Sequence, residues 1–409
     1  MKEYLVFSPH VFLWFDRQSG FFYNSKETTS LKFCCDELIY GYCTRINDPI
    51  NLYSVSINPD DKTNLSFLSW IMNIEKHKIG ILHSVEDTTK KPFSFPPIIN
   101  LRNEIEESQV SDKKHYSTVN FAECLNEISF FLGGVELPNN EKEYFKQILY
   151  PISQKYFLSY NELHTFLAIS NVTHLCQINI ICSDLFSYPN FENLLRLLNA
   201  YNISTTFYID GYNVNIANRE LNIFRGEKTN VKLYFKDVDN FIKIQDCIKT
   251  YDIKYNWVFL IKNETDLLVC EKIVNEYDLN QTDVWPVLTG SNISFFQENV
   301  FTSPDEIDNA SITKQNIFCN QILNSNYWGN LFILPNGNVY GNLNNKILGT
   351  MKDDAMDLIK LELNSPESSW KCTREKVFPC KDCIYRNICP PPSNYEFYLN
   401  KFNLCVINR

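Results

Sequence analysis

Cys380-Lys-Asp-Cys383-Ile-Tyr-Arg-Asn-Ile-Cys389-Pro-Pro-Pro-Ser393-Asn-Tyr-Glu396, with Cys405 sixteen residues beyond Cys389, is the one dense set of metal-binding side chains in the chain. A Cys-x2-Cys turn brings two thiolates onto one centre, and two further thiolates complete either a tetrahedral zinc site or a four-iron cluster. Spacing alone leaves zinc and iron–sulfur open. Pro390-Pro391-Pro392 stiffens the chain past the third thiol. A cluster held by four thiolates is anionic, and Lys371, Arg374, Lys376, Lys381 and Arg386 could offset that charge. Cys372, eight residues before Cys380, is the alternative to Cys405 as fourth ligand. Four unligated thiols at these spacings are the bland reading, and a poor one in a chain with no sign of export.

The rest of the composition narrows the chemistry by exclusion. The chain has 409 residues, 44% hydrophobic and 21% charged, which is the balance of a globular protein with a large core. A net charge of −10 argues against nucleic-acid binding by phosphate neutralisation. No apolar run approaches the roughly 18 residues of a membrane span. Met1-Lys2-Glu3-Tyr4 opens no signal peptide, so a cytoplasmic location is expected, and the 14 Cys are expected to be reduced or metal-bound. Neither Gly-x-Gly-x-x-Gly nor Gly-x4-Gly-Lys-[Ser/Thr] occurs. The six His, at 10, 77, 83, 115, 164 and 174, show no zinc-hydrolase spacing.

Working outward from the cysteines, three segments are expected: 1–92, 98–312 and 315–409. In the last, Leu331–Leu334 and Val339-Tyr340 flank Pro335-Asn336-Gly337-Asn338, a hairpin turn signal. Beyond Ser369 come five Cys and seven Lys or Arg against three Asp or Glu, a basic tail on an acidic protein. The middle segment alternates strands (Ile128–Leu132, Leu175–Cys182, Ser204–Ile209, Val231–Phe235, Trp257–Ile261, Val284–Leu288) with helices (Phe191–Asn199, Phe241–Tyr251, Leu267–Tyr277). Strands separated by helices imply parallel neighbours, because a parallel pair needs a crossover. The first segment reads as a small α/β module. It has a hairpin over Val11–Phe15 and Phe21–Tyr23, strands at Ser30–Phe33, Leu52–Ile57 and Ile79–His83, and helices over Cys35–Tyr42 and Leu65–Lys76. The Pro-rich stretch Thr88–Pro97 is the expected boundary loop.

The cysteine run resembles the C-terminal half of a SPASM domain, the auxiliary-cluster module of radical SAM peptide-modifying enzymes. That pattern is a first Cys, Gly-x4-Cys, Cys-x2-Cys-x5-Cys-x3-Cys, and a last Cys. The resemblance implies that Cys380, Cys383, Cys389 and Cys405 hold one 4Fe-4S cluster. The other auxiliary cluster lacks its ligands: Gly337-x4 leads to Asn342, the end of the run is Ser393, and Cys319 alone is a remnant. The middle segment resembles the radical SAM partial (β/α)6 barrel with two departures. The Cys-x3-Cys-x2-Cys motif expected after the first barrel strand is absent, since Ile128–Leu132 runs into Gly133-Gly134-Val135-Glu136-Leu137-Pro138 and no Cys lies between Cys124 and Cys176. The Gly-Gly-Glu-Pro motif expected after the second strand is replaced by Cys182-Ser183-Asp184-Leu185. Without thiolates no cluster can be held there, so SAM is not expected to bind and radical initiation is not expected.

The combination resembles the pseudo-radical-SAM SPASM proteins that accompany Gly-Gly-leader peptide maturation systems. It implies a catalytically inactive protein that works with a ribosomally made precursor peptide and a separate, active radical SAM maturase. Electron relay through the single cluster and a zinc-stabilised binding protein are the alternatives. Residues 1–92 resemble the winged-helix-like modules that take a leader peptide as an added strand, with Ser30–Phe33 as the expected edge. Cys34-Cys35 read as buried thiols beside Phe33. Cys43, Cys124, Cys176, Cys247 and Cys270 read as core, and Cys182 as filler in a lost functional slot. Glu106-Glu107 and Asp353-Asp354 read as solvated faces.

Overall fold

The computed structural model describes residues 2–86, 90–97, 124–170, 174–210 and 221–405. Thr88 and Thr89 of the expected boundary loop, Glu106-Glu107, His115 and the Cys247 side chain lie outside the described residues.

The N-terminal module is built on two antiparallel three-stranded sheets. β1 (Lys2–Phe7) is the middle strand of one. The second is a meander of β2 (Val11–Phe15), β3 (Ser19–Asn24) and β4 (Thr29–Cys34). The β2–β3 turn is tight because the Asp16 carboxylate accepts the backbone N–H groups of both Gln18 and Ser19 at 2.7 Å. β5 (Ser54–Ile57) and β6 (Gly80–Val85) flank β1. Two helices cover the sheets. Glu37–Asn47 is capped by Asp36, and Leu65–Lys76 by Asn64. Phe22, Tyr42, Phe67 and Trp70 pack between these layers.

Six strands then run parallel and in sequence order. They are β7 (Glu127–Phe131), followed after the ribbon β8 (Gly133–Val135) and β9 (Gln154–Phe157) by β10 (Gln177–Cys182), β11 (Ser204–Asp210), β12 (Thr229–Tyr234), β13 (Tyr255–Ile261) and β14 (Thr282–Pro286). All six match the strands expected from the sequence to within a few residues. Helices at Phe191–Tyr201, Val238–Ile248 and Glu264–Glu276 lie in the β10–β11, β12–β13 and β13–β14 crossovers. The hairpin β15 (Asn330–Ile333) and β16 (Asn338–Tyr340) forms as its turn sequence requires, with Gly337 at φ +79. β15 lies parallel to β7 on the side away from β10, and β17 (Gly349–Thr350) follows β16. The result is one nine-stranded sheet that runs past residue 312, where a segment boundary was expected. It is open, since β14 and β17 are its two edges.

Several cysteine readings are corrected. Cys34 and Cys176 are exposed and Cys124 is half-buried, whereas Cys35, Cys43, Cys182 and Cys270 are buried. Cys176 precedes β10 instead of lying in it, so its thiol turns outward to the His174 carbonyl at 3.4 Å. Cys34 ends β4, an edge strand with a neighbour on one side only.

Candidate metal centre and the mouth of the sheet

The expected ligand run folds as a chain of tight turns. Cys380–Asp382 is a 3-10 turn, the Cys383 N–H donates to the Cys380 carbonyl at 2.9 Å, and the Cys389 N–H donates to Tyr385 at 2.9 Å. Beyond the prolines, Ser393 and Glu396 form a reciprocal capping box that starts the helix Asn394–Leu399. Asn400, in the left-handed region at φ 49, ends that helix and turns the chain back toward the cysteines. The Phe402 carbonyl then accepts from Cys380 Sγ at 2.8 Å.

Arg374 ties these pieces together. Its guanidinium makes a bidentate pair with Glu396, at 2.5 and 3.0 Å, and donates to the carbonyls of Pro390 at 2.8 Å and Phe402 at 3.1 Å. It also reaches Cys380 Sγ at 3.6 Å.

Cys380, Cys383, Cys389 and Cys405 all line one cavity of about 230 Å³, together with Arg374 and Arg386. Among the described residues no three His, Cys, Asp or Glu side chains converge closely enough to hold a single metal ion. Four thiols are a donor set that either a four-iron cluster or a tetrahedral zinc takes. Burial pushes the Cys389 thiol up to about 12 and raises Cys380 as well, with the Arg374 charge opposing. Such thiols stay protonated until a cation arrives, so loading a metal here would release protons.

The alternative and auxiliary positions lie elsewhere. Cys372 lines a different cleft, and burial pushes its thiol up to about 11. Cys319, on the helix Lys314–Ile322, does not line the cavity. Asn342 is buried and donates to Asn394 Oδ1 at 3.1 Å, and the Ser393 hydroxyl donates to Glu396 at 3.1 Å. Of the five cations expected to offset a cluster, only Arg374 and Arg386 line the cavity; Lys371 and Lys376 line the Cys372 cleft, and Lys381 is exposed.

At the C-terminal ends of the parallel strands, where α/β sheets usually carry their sites, the chain covers itself. The connection from β8 to β9 crosses the ends of β11 to β14. Gln147 exchanges two hydrogen bonds with the Leu288 backbone, at 2.8 and 3.0 Å. The Tyr234 hydroxyl, at the end of β12, donates to the Leu149 carbonyl. Lys236 bonds Glu141 at 2.8 Å and the Tyr150 hydroxyl, and lies 3.6 Å from Asp210 at the end of β11. Lys262, after β13, sits over the Tyr144 ring at 5.6 Å. Tyr144, Gln147 and Tyr150 are buried. Burial would raise the Glu141 carboxyl, but hydrogen bonds from Lys236 and Tyr150 hold it below its usual value.

The path into this connection uses Gly133 and Gly134, at φ +77 and +83, and a Cβ on Gly134 would fall 1.9 Å from the Phe157 ring. Cys182 ends β10 fully buried, its Sγ 3.6 Å from the Gly133 carbonyl, and burial pushes its thiol up to about 12. Sequence reasoning noticed what this connection lacks and missed what it does. The aromatic and amide residues Tyr144, Gln147 and Tyr150 were the available signal.

Compared by sequence, the chain matches no protein-family model and no curated protein. Compared by structure, it is similar to Streptococcus suis SuiB bound to precursor peptide SuiA. The TM-score is 0.50 at 12% identity, over 98% of this chain and 100% of that one. SuiB bound to S-adenosylmethionine aligns with a TM-score of 0.46 at 12% identity over the same shares, 98% and 100%. Native anSMEcpe with bound AdoMet and Kp18Cys peptide aligns with a TM-score of 0.45 at 14% identity, over 64% of this chain and 88% of that one. The fold is thus a mixed α/β architecture with a large parallel sheet, similar to that of SuiB. No helix among the described residues is long and apolar enough to cross a membrane.

Proposed function

We propose that this chain is a non-catalytic member of the radical SAM–SPASM fold that supports the modification of a ribosomally made peptide by binding the precursor, an active radical SAM maturase, or both. One observation carries the reading. The stretch that would bear three cluster thiolates has no Cys between Cys124 and Cys176, and its residues spend their polar groups closing the strand ends. In this reading a stretch without thiolates holds no SAM-cleaving cluster there, and radical initiation on this chain is not expected.

In this reading Cys380, Cys383, Cys389 and Cys405 hold one 4Fe-4S cluster, which when bound supplies a cross-link among the turns of the tail and a one-electron couple. Arg374 fixes the return of the chain through Phe402 and sets positive charge beside the thiols. A precursor peptide as ligand is carried over from the SuiB–SuiA complex and from the resemblance of the tail. β4, which contains Ser30–Phe33, is an edge strand with β3 on one side only, so a leader can add to it as a further strand.

The reading is tested by titrating S-adenosylmethionine into the anaerobically reconstituted chain in a calorimeter, with the precursor and maturase titrated in parallel. No saturable heat with S-adenosylmethionine, and saturable binding of peptide or maturase, is expected. Saturable micromolar S-adenosylmethionine binding contradicts the non-catalytic reading, and silence toward both macromolecules contradicts the partner role.

A further inference from the structure

β6 (Gly80–Val85) is an open edge: β1 pairs with it on one side, and among the described residues no strand pairs with the other. Successive residues of an antiparallel strand turn their N–H and C=O alternately toward the partner and away from it. The Leu82 N–H points away from β1, to the Glu75 carboxylate at 3.0 Å, so Gly80 and Ser84 turn their backbone groups outward as well. We infer that this edge takes up an extended peptide segment as an added strand, with apolar side chains at alternate positions.

The neighbouring helix supplies the first argument. Leu65, Leu68, Met72 and Glu75 follow one another at intervals of three and four residues, so they form one stripe along the helix Leu65–Lys76. Because Glu75 reaches the outward N–H of Leu82, that stripe runs on the flank beside the open edge. Its apolar members are exposed, Leu65 to 81% and Met72 to 62%. Side chains alternate along β6, and Leu82 takes the core side, so Ile81 lies on the opposite face, 59% exposed. Apolar surface thus flanks the free backbone on both faces.

The backbone selects the occupant. A docked helix would cover the stripe and leave the outward N–H and C=O groups of β6 unpaired, whereas a strand satisfies both. Leu65 and Met72 are about 10 Å apart along the helix, room for two side chains of a strand whose same-face neighbours stand about 6.8 Å apart. Edge strands usually refuse a neighbour with a Lys, a Pro or a bulge. β6 has none of these, and Glu75 is the one guard, holding the N–H that an incoming carbonyl would take. A second copy of the chain is a poorer occupant, because it brings another net charge of −10 and a second Glu75 to the same line. β4 belongs to the other sheet of the module, so this edge is distinct from the one proposed for a leader.

The test is fluorescence anisotropy on the full chain with a labelled ten-residue peptide, Lys at each end and Val alternating with Thr between them. The controls are the same peptide N-methylated along its backbone and a permutation with its Val residues consecutive. Saturable binding of the first peptide is expected, and at least tenfold weaker binding of both controls. Met72→Asp is expected to cost at least tenfold and Ser84→Pro at least fivefold, with circular dichroism unchanged. Met72 is exposed and the Ser84 N–H faces away from β1, so neither change removes a core contact or a ladder bond. Glu75→Ala is expected to tighten binding at least threefold, and weaker binding there contradicts its role as guard. No binding, equal binding of the N-methylated peptide, or full affinity in both Met72→Asp and Ser84→Pro overturns the inference. A dimer in sedimentation velocity that Met72→Asp dissociates overturns it too, by assigning the edge to a second copy. Each of these failures leaves leader addition at β4 and the S-adenosylmethionine and maturase titrations untouched, so the two readings fall separately.

Discussion

Cys405 owes its place to Arg374. The guanidinium holds the Phe402 carbonyl at 3.1 Å and the Glu396 carboxylate in a bidentate pair, which ties the chain beside Cys380 three residues before Cys405. Cys372 is only two residues from Arg374, yet its side chain lines the other cleft. Sequence spacing left these two cysteines as rivals, because eight residues upstream and sixteen downstream are both within reach of a ligand set. In the structure the two line different cavities, Cys405 the one lined by Cys380, Cys383 and Cys389, and Cys372 the other. Accordingly, Cys405→Ser is expected to lose most of the bound iron on anaerobic desalting, whereas Cys372→Ser keeps it. Iron retention in the two variants, measured side by side, checks this; loss in Cys372→Ser with retention in Cys405→Ser reverses the assignment.

The β8–β9 connection is the element that distinguishes this sheet from one with an open mouth. Its anchor is the set Glu141, Tyr150, Lys236 and Asp210, where one ammonium meets two carboxylates and a phenol. Glu141 is held below its usual carboxyl range in the fold, while in the unfolded chain it titrates near 4.3. A depressed folded value means that the contribution to stability is complete above the unfolded value and is lost as pH falls through the folded one. Glu141→Gln is therefore expected to lower stability by about 1–3 kcal/mol at neutral pH. It should also lose part of the fall in thermal midpoint that wild type shows below about pH 4. Parallel midpoint-against-pH curves for the two proteins would show that the carboxylate does not anchor the connection.

The six parallel strands were legible because each is a short apolar run bounded by helix-forming sequence, and a crossover fixes its neighbour. β1 was not legible. Its neighbours β5 and β6 arrive some fifty and eighty residues later, and nothing local in Lys2–Phe7 announces a central strand. The place of β15 beside β7 was hidden for the same reason: a hairpin signal fixes the turn and says nothing of what the hairpin docks on. In the candidate metal centre, the four thiols could be read from spacing and resemblance. The Arg374–Glu396 clamp could not, because ion-pair geometry depends on how three separate turns close.

Across the whole molecule, the N-terminal hairpin and the cysteine turns share one core. Phe12, Trp14, Phe21 and Tyr23 pack with Ile384, Tyr385 and Ile388, and the Phe21 and Tyr385 rings meet edge to face at 4.9 Å. Tyr23 adds a polar anchor, its hydroxyl oxygen accepting the Ile312 N–H at 2.6 Å. Cys383 and Cys389 pack against this same cluster, so the edge proposed for peptide addition and the proposed metal centre belong to connected parts of one structure. Metal occupancy at the cysteines is thus the quantity on which the account turns. The direct measurement is iron, sulfide and zinc analysis after anaerobic purification, on wild type and on Cys380→Ala. About four iron and four sulfide per chain, lost in the variant, is the predicted result. About eight iron would mean that a second ligand set exists and would reopen the non-catalytic reading, while about one zinc without sulfide would contradict the cluster and replace it by a structural zinc site.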